Sequence, residues 1–162
     1  MKLYLMQHGE AQSSIQDPQE GLSKEGILQI ENSAKALAQF NVQVDLIAHS
    51  PKKRSKMTAE ILAKTLKGVS EVIETEKIKP KSSAEEAFEF LNNYREKRRV
   101  LIAGHLPSLQ EICSFLLSNG TFSIEIKNGG CTRIDTHDLN KCSGRLIWHF
   151  LPEQLSFVST SK

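Results

Sequence analysis

Short apolar runs alternate with longer amphipathic stretches over the first two thirds of the chain. A short run that stops at polar residues or glycine is typical of a buried parallel strand, and apolar residues three and four positions apart are typical of a helix that covers the sheet. The runs that predict parallel strands are residues 2–6, 42–48 and 100–103, with a short further one at 71–74. The stretches that predict helices are residues 23–40, 51–66, 83–94 and 107–117.

The period of the apolar positions changes to two in the last third of the chain. Residues 122–126, 131–135 and 145–150 alternate between apolar and polar side chains, and glycine-containing turns separate them. This alternation predicts antiparallel strands. The whole pattern predicts an α/β fold, a three-layer sandwich with a mostly parallel central sheet flanked by helices, plus antiparallel C-terminal strands.

Length and composition indicate one domain. A chain of 162 residues with 39% hydrophobic content can bury a core without disulfides or metals. We predict a single domain over residues 1–152 and a polar C-terminal tail that frays over residues 153–162. The cysteines number three and are irregularly spaced, so we expect neither a disulfide framework nor a cysteine-based metal site.

Charge and hydropathy narrow the range of partners. The formal net charge is +2, from 21 basic and 19 acidic residues, so no general surface for nucleic acid is expected. No stretch approaches the roughly 20 apolar residues of a membrane helix. The first apolar run ends at Gln7, which is too early for a signal peptide. We therefore expect a cytoplasmic protein that binds neither nucleic acid nor membrane.

Three polar side chains lie just beyond the predicted parallel strands. His8 follows the first strand, His105 follows the strand at 100–103, and Arg54 lies in the first turns of the helix after the second strand. Ligands bind at the carboxyl edge of such sheets, so we expect these side chains to converge there. An imidazole nucleophile, a second imidazole and a guanidinium fork together suit a phosphoryl group, because phosphoryl transfer needs an in-line nucleophile and neutralised oxygens.

The motifs around these residues resemble those of the histidine phosphatase superfamily, the phosphoglycerate-mutase-like group. That family opens with Arg-His-Gly, continues with Ser-Pro followed by Arg and Thr-Ala, and has a late Gly-His. The matching residues here are His8-Gly9, Ser50-Pro51, Arg54, Thr58-Ala59 and Gly104-His105. The short chain is similar to the small SixA-type phosphohistidine phosphatases. The resemblance implies attack by His8, a covalent phosphohistidine intermediate, hydrolysis by water, and neither metal nor cofactor.

The residue before His8 departs from the family pattern. Gln7 stands where the family has arginine, so it keeps hydrogen-bond donors for phosphate and loses the charge and the bidentate fork. We assign catalysis to His8, Arg54 and His105. We assign phosphate binding to these three residues and to Gln7. The loss of a charge-assisted contact is expected to slow turnover by on the order of a hundredfold. Lys53 is a candidate for replacing the missing charge.

Three other residues are candidates for the site, and the proton donor stays open. Glu10 closely follows the nucleophile, and His49 ends the second predicted strand. Glu85 lies near the region from which many family members supply a general acid, although a carboxylate at a helix start is commonly a partner of the helix dipole. A phosphoramidate leaving group that is protonated early needs little help from an acid, which fits phosphohistidine better than an alkyl ester.

These observations predict a metal-independent phosphatase whose substrate is phosphohistidine on a protein. A short chain leaves few residues for a capping insertion, and an open pocket suits a phosphate carried by a protein. Two alternatives stay open. One is a phosphatase of a small phosphate ester, and the other is a phosphate-binding or protein-interaction module whose turnover Gln7 has weakened.

Overall fold

A six-stranded mixed sheet forms the centre of the molecule in the computed structural model, which describes residues 1–161. The strands are β1 (Lys2–Gln7), β2 (Leu46–His49), β3 (Glu71–Glu74), β4 (Arg99–Gly104), β5 (Cys131–Thr136) and β6 (Gly144–Phe150). Their order across the sheet is β3-β2-β4-β1-β5-β6. The first four of these pair in parallel, whereas β5 is antiparallel to β1 and β6 is antiparallel to β5. The predicted fold class is confirmed.

Five helices cover the two faces of this sheet. They are α1 (Lys24–Gln39), α2 (Lys53–Thr65), α3 (Ala84–Asn92), α4 (Ser108–Leu117) and α5 (Pro152–Thr160). Helices α1, α2 and α5 share one apolar cluster with the side chains of Tyr4 and Met6, and α3 and α4 share the other with Leu3 and Leu5. Alternate residues of β1 therefore enter opposite layers, as a strand buried on both faces requires. In the part of the chain from 1 to 161, no helix is both long and apolar enough to cross a membrane.

The helix starts show how the sequence sets their positions. The Ser23 hydroxyl caps α1 by accepting the Gly26 N–H at 2.9 Å, and a capping box at Ser83 opens α3. Helix α2 begins at Lys53, two residues later than Pro51, where we predicted it. The Ser50 hydroxyl accepts the Lys52 N–H at 3.3 Å, so a side-chain turn occupies the position that we had assigned to the first helical residues.

Two predictions for the C-terminal third are wrong. Residues 122–126 form no strand, because side chains and not a neighbouring strand bind their carbonyl groups: Ser114 donates to the Phe122 carbonyl at 2.8 Å, and His149 contacts the Glu125 carbonyl at 2.9 Å. Residues 153–160, which we predicted to fray, belong to α5. The Leu155 side chain of α5 is fully buried in the apolar cluster that α5 shares with α1, and this burial stabilises the short helix. Lys162 lies outside the described residues.

Candidate active site

The carboxyl ends of β2, β4 and β1 lie side by side in the sheet. Gln7 at the end of β1 pairs with Gly104 at the end of β4, and His49 at the end of β2 pairs with Ala103. The residues that follow β1 and β4 therefore meet, and the ring centroids of His8 and His105 are 4.9 Å apart. The structure thus brings both predicted imidazoles to one edge of the sheet.

Arg54 joins them from the first turn of α2. Its Nε donates a hydrogen bond to Nε2 of His8 at 3.1 Å. The start of α2 is held in place by Ser55, whose hydroxyl donates to the Ala103 carbonyl at 2.6 Å and accepts the Ser50 N–H at 2.9 Å. A single serine therefore connects the ends of β2 and β4 to the helix that carries the guanidinium.

The hydrogen bonds of His8 identify its tautomer. Nδ1 lies 2.7 Å from the Gly9 carbonyl, which can only accept, so Nδ1 carries the proton and the lone pair is on Nε2. Burial lowers the pKa of His8 from 6.5 to about 4, and the Arg54 charge acts in the same direction, while the bond to Gly9 opposes it. At neutral pH, His8 is therefore an uncharged imidazole with a nucleophilic nitrogen turned toward the guanidinium.

The second imidazole is a hydrogen-bond donor held neutral. Nε2 of His105 lies 2.6 Å from the Ser50 hydroxyl. Nε2 is the only acceptor for the proton of that hydroxyl among residues 1–161, because its other partner, the Lys52 N–H, is a donor; the ring proton of His105 is therefore on Nδ1. Burial, followed by the nearby His8 and Arg54, lowers the pKa of His105 to about 3. Nδ1 is buried and has no hydrogen-bond partner among residues 1–161, so its N–H is an unsatisfied donor beside His8.

Gln7 is held by a residue that sequence reasoning missed. The Gln7 amide donates to Oδ1 of Asn128 at 3.5 Å, and Nδ2 of Asn128 donates to the His8 carbonyl at 2.8 Å. The turn that carries Asn128 is tied to β1, because the Gly129 N–H donates to the Gln7 carbonyl at 3.0 Å. The signal was available: an Asn-Gly-Gly turn directly precedes β5, and pairing β5 with β1 brings that turn to the site.

A carboxylate that we did not predict lies on the guanidinium. Oε2 of Glu20 is 2.9 Å from Nη1 of Arg54. Lys53 does not supply the charge missing at Gln7, because its ammonium group bonds to Asp17 at 2.8 Å. That hydrogen bond is the first cause that lowers the pKa of Asp17 to about 2. The loop between β1 and α1 therefore contributes an anion to the site.

The three additional candidates make no hydrogen bond to either imidazole or to the guanidinium, as far as residues 1–161 are concerned. Glu10 has an exposed side chain, and its backbone N–H donates to Gln29 at 3.1 Å. His49 is buried, and its Nδ1 contacts the Ser50 carbonyl at 2.8 Å. Glu85 is exposed in the first turn of α3 and lines a separate surface groove. The site therefore consists of the two imidazoles, the guanidinium, the Gln7–Asn128 pair and Glu20.

The side chains at this edge of the sheet are of the kinds that phosphoryl transfer requires. A neutral imidazole nucleophile, a guanidinium and an imidazole N–H donor lie together at the carboxyl edge of a mostly parallel sheet. Residues 3–79 match the family model of the histidine phosphatase superfamily (branch 1). This match confirms the resemblance that we predicted from the motifs. No curated protein sequence matches the chain.

Solved structures of phosphatases have the same fold. The protein histidine phosphatase SixA, in complex with tungstate, has a TM-score of 0.84 at 20% identity, over 96% of this chain and 99% of that chain. A mycobacterial glucosyl-3-phosphoglycerate phosphatase has a TM-score of 0.71 at 16% identity, over 93% and 99%. The alpha-ribazole phosphatase from Shigella flexneri has a TM-score of 0.69 at 17% identity, over 94% and 97%. The chain is therefore similar in fold to all three over nearly its whole length.

Proposed function

We propose that the protein is a phosphatase that takes a phosphoryl group onto His8 and transfers it to water. The observation that carries this proposal is the neutral His8, whose unprotonated Nε2 lies 3.1 Å from Nε of Arg54 and whose ring lies beside His105. A nucleophile next to a phosphate-binding group is the central requirement of covalent phosphoryl transfer.

The first step forms a bond between phosphorus and Nε2 of His8 and breaks the bond to the leaving group. The guanidinium of Arg54 shifts from the ring nitrogen to the phosphoryl oxygens, and Nδ1–H of His105 donates to another oxygen. In the second step, water attacks phosphorus, and the electron pair of the P–N bond returns to Nε2. His8 is regenerated as a neutral imidazole, in accordance with its lowered pKa.

Phosphohistidine on a protein is the substrate that we favour. The segment from residue 66 to 83 forms only β3 and a 3₁₀ turn at Glu76–Ile78, so this part of the chain adds no capping subdomain over the site. An open site suits a phosphate borne by a large partner. A histidine phosphatase is also among the similar structures. Phosphatases of small esters share the fold as well, so a small phosphate ester is the alternative substrate.

A second candidate function is a phosphate-binding or protein-interaction module with weakened turnover. The Glu20 carboxylate on Arg54 favours it, because an anion must compete with this carboxylate for the guanidinium. The uncharged Gln7 adds to the effect, since it offers an amide where a second guanidinium would attract phosphate. Both functions need the same anion site, and only the first needs a phosphoenzyme.

The experiment compares the wild type with His8→Ala, and with His137→Ala as a control at an exposed histidine outside the site. Each protein is incubated with a phosphohistidine-bearing protein and with 4-nitrophenyl phosphate, and free phosphate is followed. We expect release by the wild type and the control, no release by His8→Ala, and an acid-labile phosphate on His8. Release by His8→Ala at the wild-type rate would refute the mechanism. No release by any protein, with phosphate still raising the unfolding temperature, would favour the binding module.

A further inference from the structure

We propose that Glu20 determines substrate specificity: it favours phosphoryl groups whose leaving group carries an N–H, and it disfavours phosphate esters. The inference rests on the proposed phosphatase activity. Its basis is the contact of 2.9 Å between Oε2 of Glu20 and Nη1 of Arg54, the same guanidinium whose Nε bonds to the nucleophile. A phosphate bound to Arg54 therefore has a carboxylate as its neighbour.

The loop of Glu20 holds the carboxylate at this position. Asp17 accepts hydrogen bonds from the backbone of Gln19 at 3.0 Å and of Gly21 at 2.9 Å, and from the Lys53 ammonium at 2.8 Å. Glu20 itself has a φ of 50°, a left-handed conformation that an ordinary side chain adopts only when its surroundings impose it. The backbone of Glu20 is therefore held by a built loop, which keeps its carboxylate within reach of Arg54.

A phosphate and a carboxylate on one guanidinium repel each other unless a proton lies between them. The bridging oxygen of a phosphate ester carries no proton and leaves this repulsion in place. The leaving group of a phosphoramidate or of protonated phosphohistidine has an N–H that can donate to Glu20. The carboxylate therefore penalises esters and assists nitrogen-linked substrates.

The electron count of the step is simple. Nε2 of His8 forms the new bond to phosphorus, the P–N bond of the substrate breaks, and its electron pair stays on the leaving group. Because the leaving group already carries its proton, it departs as a neutral amine or imidazole. Glu20 accepts a hydrogen bond and is not protonated, so it can share Arg54 with the phosphate throughout.

Space for a leaving group lies on the other side of Glu20. A groove of about 570 Å³ runs along the start of α2, and its charged lining residues are Glu20, Lys52, Lys53, Lys56, Glu60 and Glu74. The three carboxylates and the three ammonium groups balance in charge. A leaving group that bears an N–H meets carboxylate acceptors in this groove.

The test compares Glu20→Gln with Glu25→Gln, a control at an exposed glutamate in the first turn of α1. The value of kcat/KM is measured for inorganic phosphoramidate and for 4-nitrophenyl phosphate. We expect Glu20→Gln to lower the ratio of phosphoramidate to ester by at least tenfold, with a raised value for the ester because the repulsion is removed. We expect the control to leave the ratio unchanged. An equal loss on both substrates, or a ratio that changes less than twofold, would overturn the inference.

A binding experiment separates this inference from the proposed function. In the His8→Ala background, which has no nucleophile, the affinities for phosphoramidate and for methyl phosphate are measured by calorimetry. We expect phosphoramidate to bind more tightly, and the further change Glu20→Gln to remove or reverse this preference. If the wild type turns over neither substrate, the proposed function fails. The binding affinities still test whether Glu20 distinguishes phosphoramidate from the ester. An unchanged preference after Glu20→Gln rejects the role of Glu20 even in an active enzyme.

Discussion

Replacing Gln7 by arginine is expected to raise kcat/KM of the phosphatase by about tenfold. In the structure, the half-buried Gln7 reaches Asn128 at 3.5 Å, and its buried Oε1 has no partner within residues 1–161. A hydrogen bond to a charged group stabilises by about 1.5 to 3 kcal/mol, and a neutral one by about 0.5 to 1.5 kcal/mol. The difference of about 1 to 1.5 kcal/mol corresponds to about a factor of ten in rate, which is less than the hundredfold expected from the sequence because the Gln7 amide still offers a neutral hydrogen bond.

Two further variants separate charge from geometry in this experiment. Gln7→Lys adds the charge without the bidentate fork, so we expect a smaller gain than with arginine. Gln39→Arg adds the same charge at an exposed position at the end of α1 and is expected to change nothing. The rate of phosphate release from 4-nitrophenyl phosphate is measured for the wild type and for the three variants. If Gln7→Arg slows turnover, the pocket is adapted to the amide and our account of the missing charge is wrong.

Three other predictions concern the neighbours of this position. Asn128→Ala removes the hydrogen bonds to Gln7 and to the His8 carbonyl. At about 1 kcal/mol each, their loss is expected to lower kcat by roughly thirtyfold, and an unchanged kcat would contradict it. The chemical shifts of the His8 ring in NMR are expected to titrate with a midpoint near pH 4, and a midpoint near 6.5 would refute this. Because the unfolded chain takes up this proton at higher pH than the folded one, the free energy of unfolding is expected to decrease as the pH falls from 6.5 to about 4. Gly26→Ala places a Cβ 2.0 Å from the Glu10 carbonyl oxygen, so denaturant unfolding is expected to show a loss of about 1 to 3 kcal/mol, whereas alanine in an unobstructed helix would stabilise by about 1 kcal/mol.

The sheet and three members of the site could be predicted because their signals are local. Apolar runs that stop at His8 and His105 mark strand ends, and parallel strands bring such ends together. The helix α5 was missed for the opposite reason. Its sequence is largely polar, and its stability comes from Leu155, which meets an apolar partner only after the chain has folded.

The remaining site residues depend on contacts between distant parts of the chain. Asn128 reaches the His8 carbonyl from 120 positions away, through the pairing of β5 with β1. Glu20 lies in a polar loop that contains no motif, and it reaches Arg54 because Asp17 and Lys53 shape that loop. The Asn-Gly-Gly turn before β5 was a sequence signal for Asn128, whereas no spacing or motif in the sequence indicates the contact of Glu20 with Arg54.

The hydrogen bond from Arg54 to His8 has a consequence for selectivity among reagents. While Nε–H of Arg54 binds the lone pair of Nε2, the nucleophile of the proposed reaction is masked. An anion that attracts the guanidinium unmasks the lone pair and is at the same time the group to be attacked. A neutral electrophile does not attract the guanidinium away from His8 or from Glu20. The lone pair of Nε2 then stays occupied by the hydrogen bond from Arg54. In the proposed mechanism, recognition of negative charge and activation of the nucleophile are thus a single event.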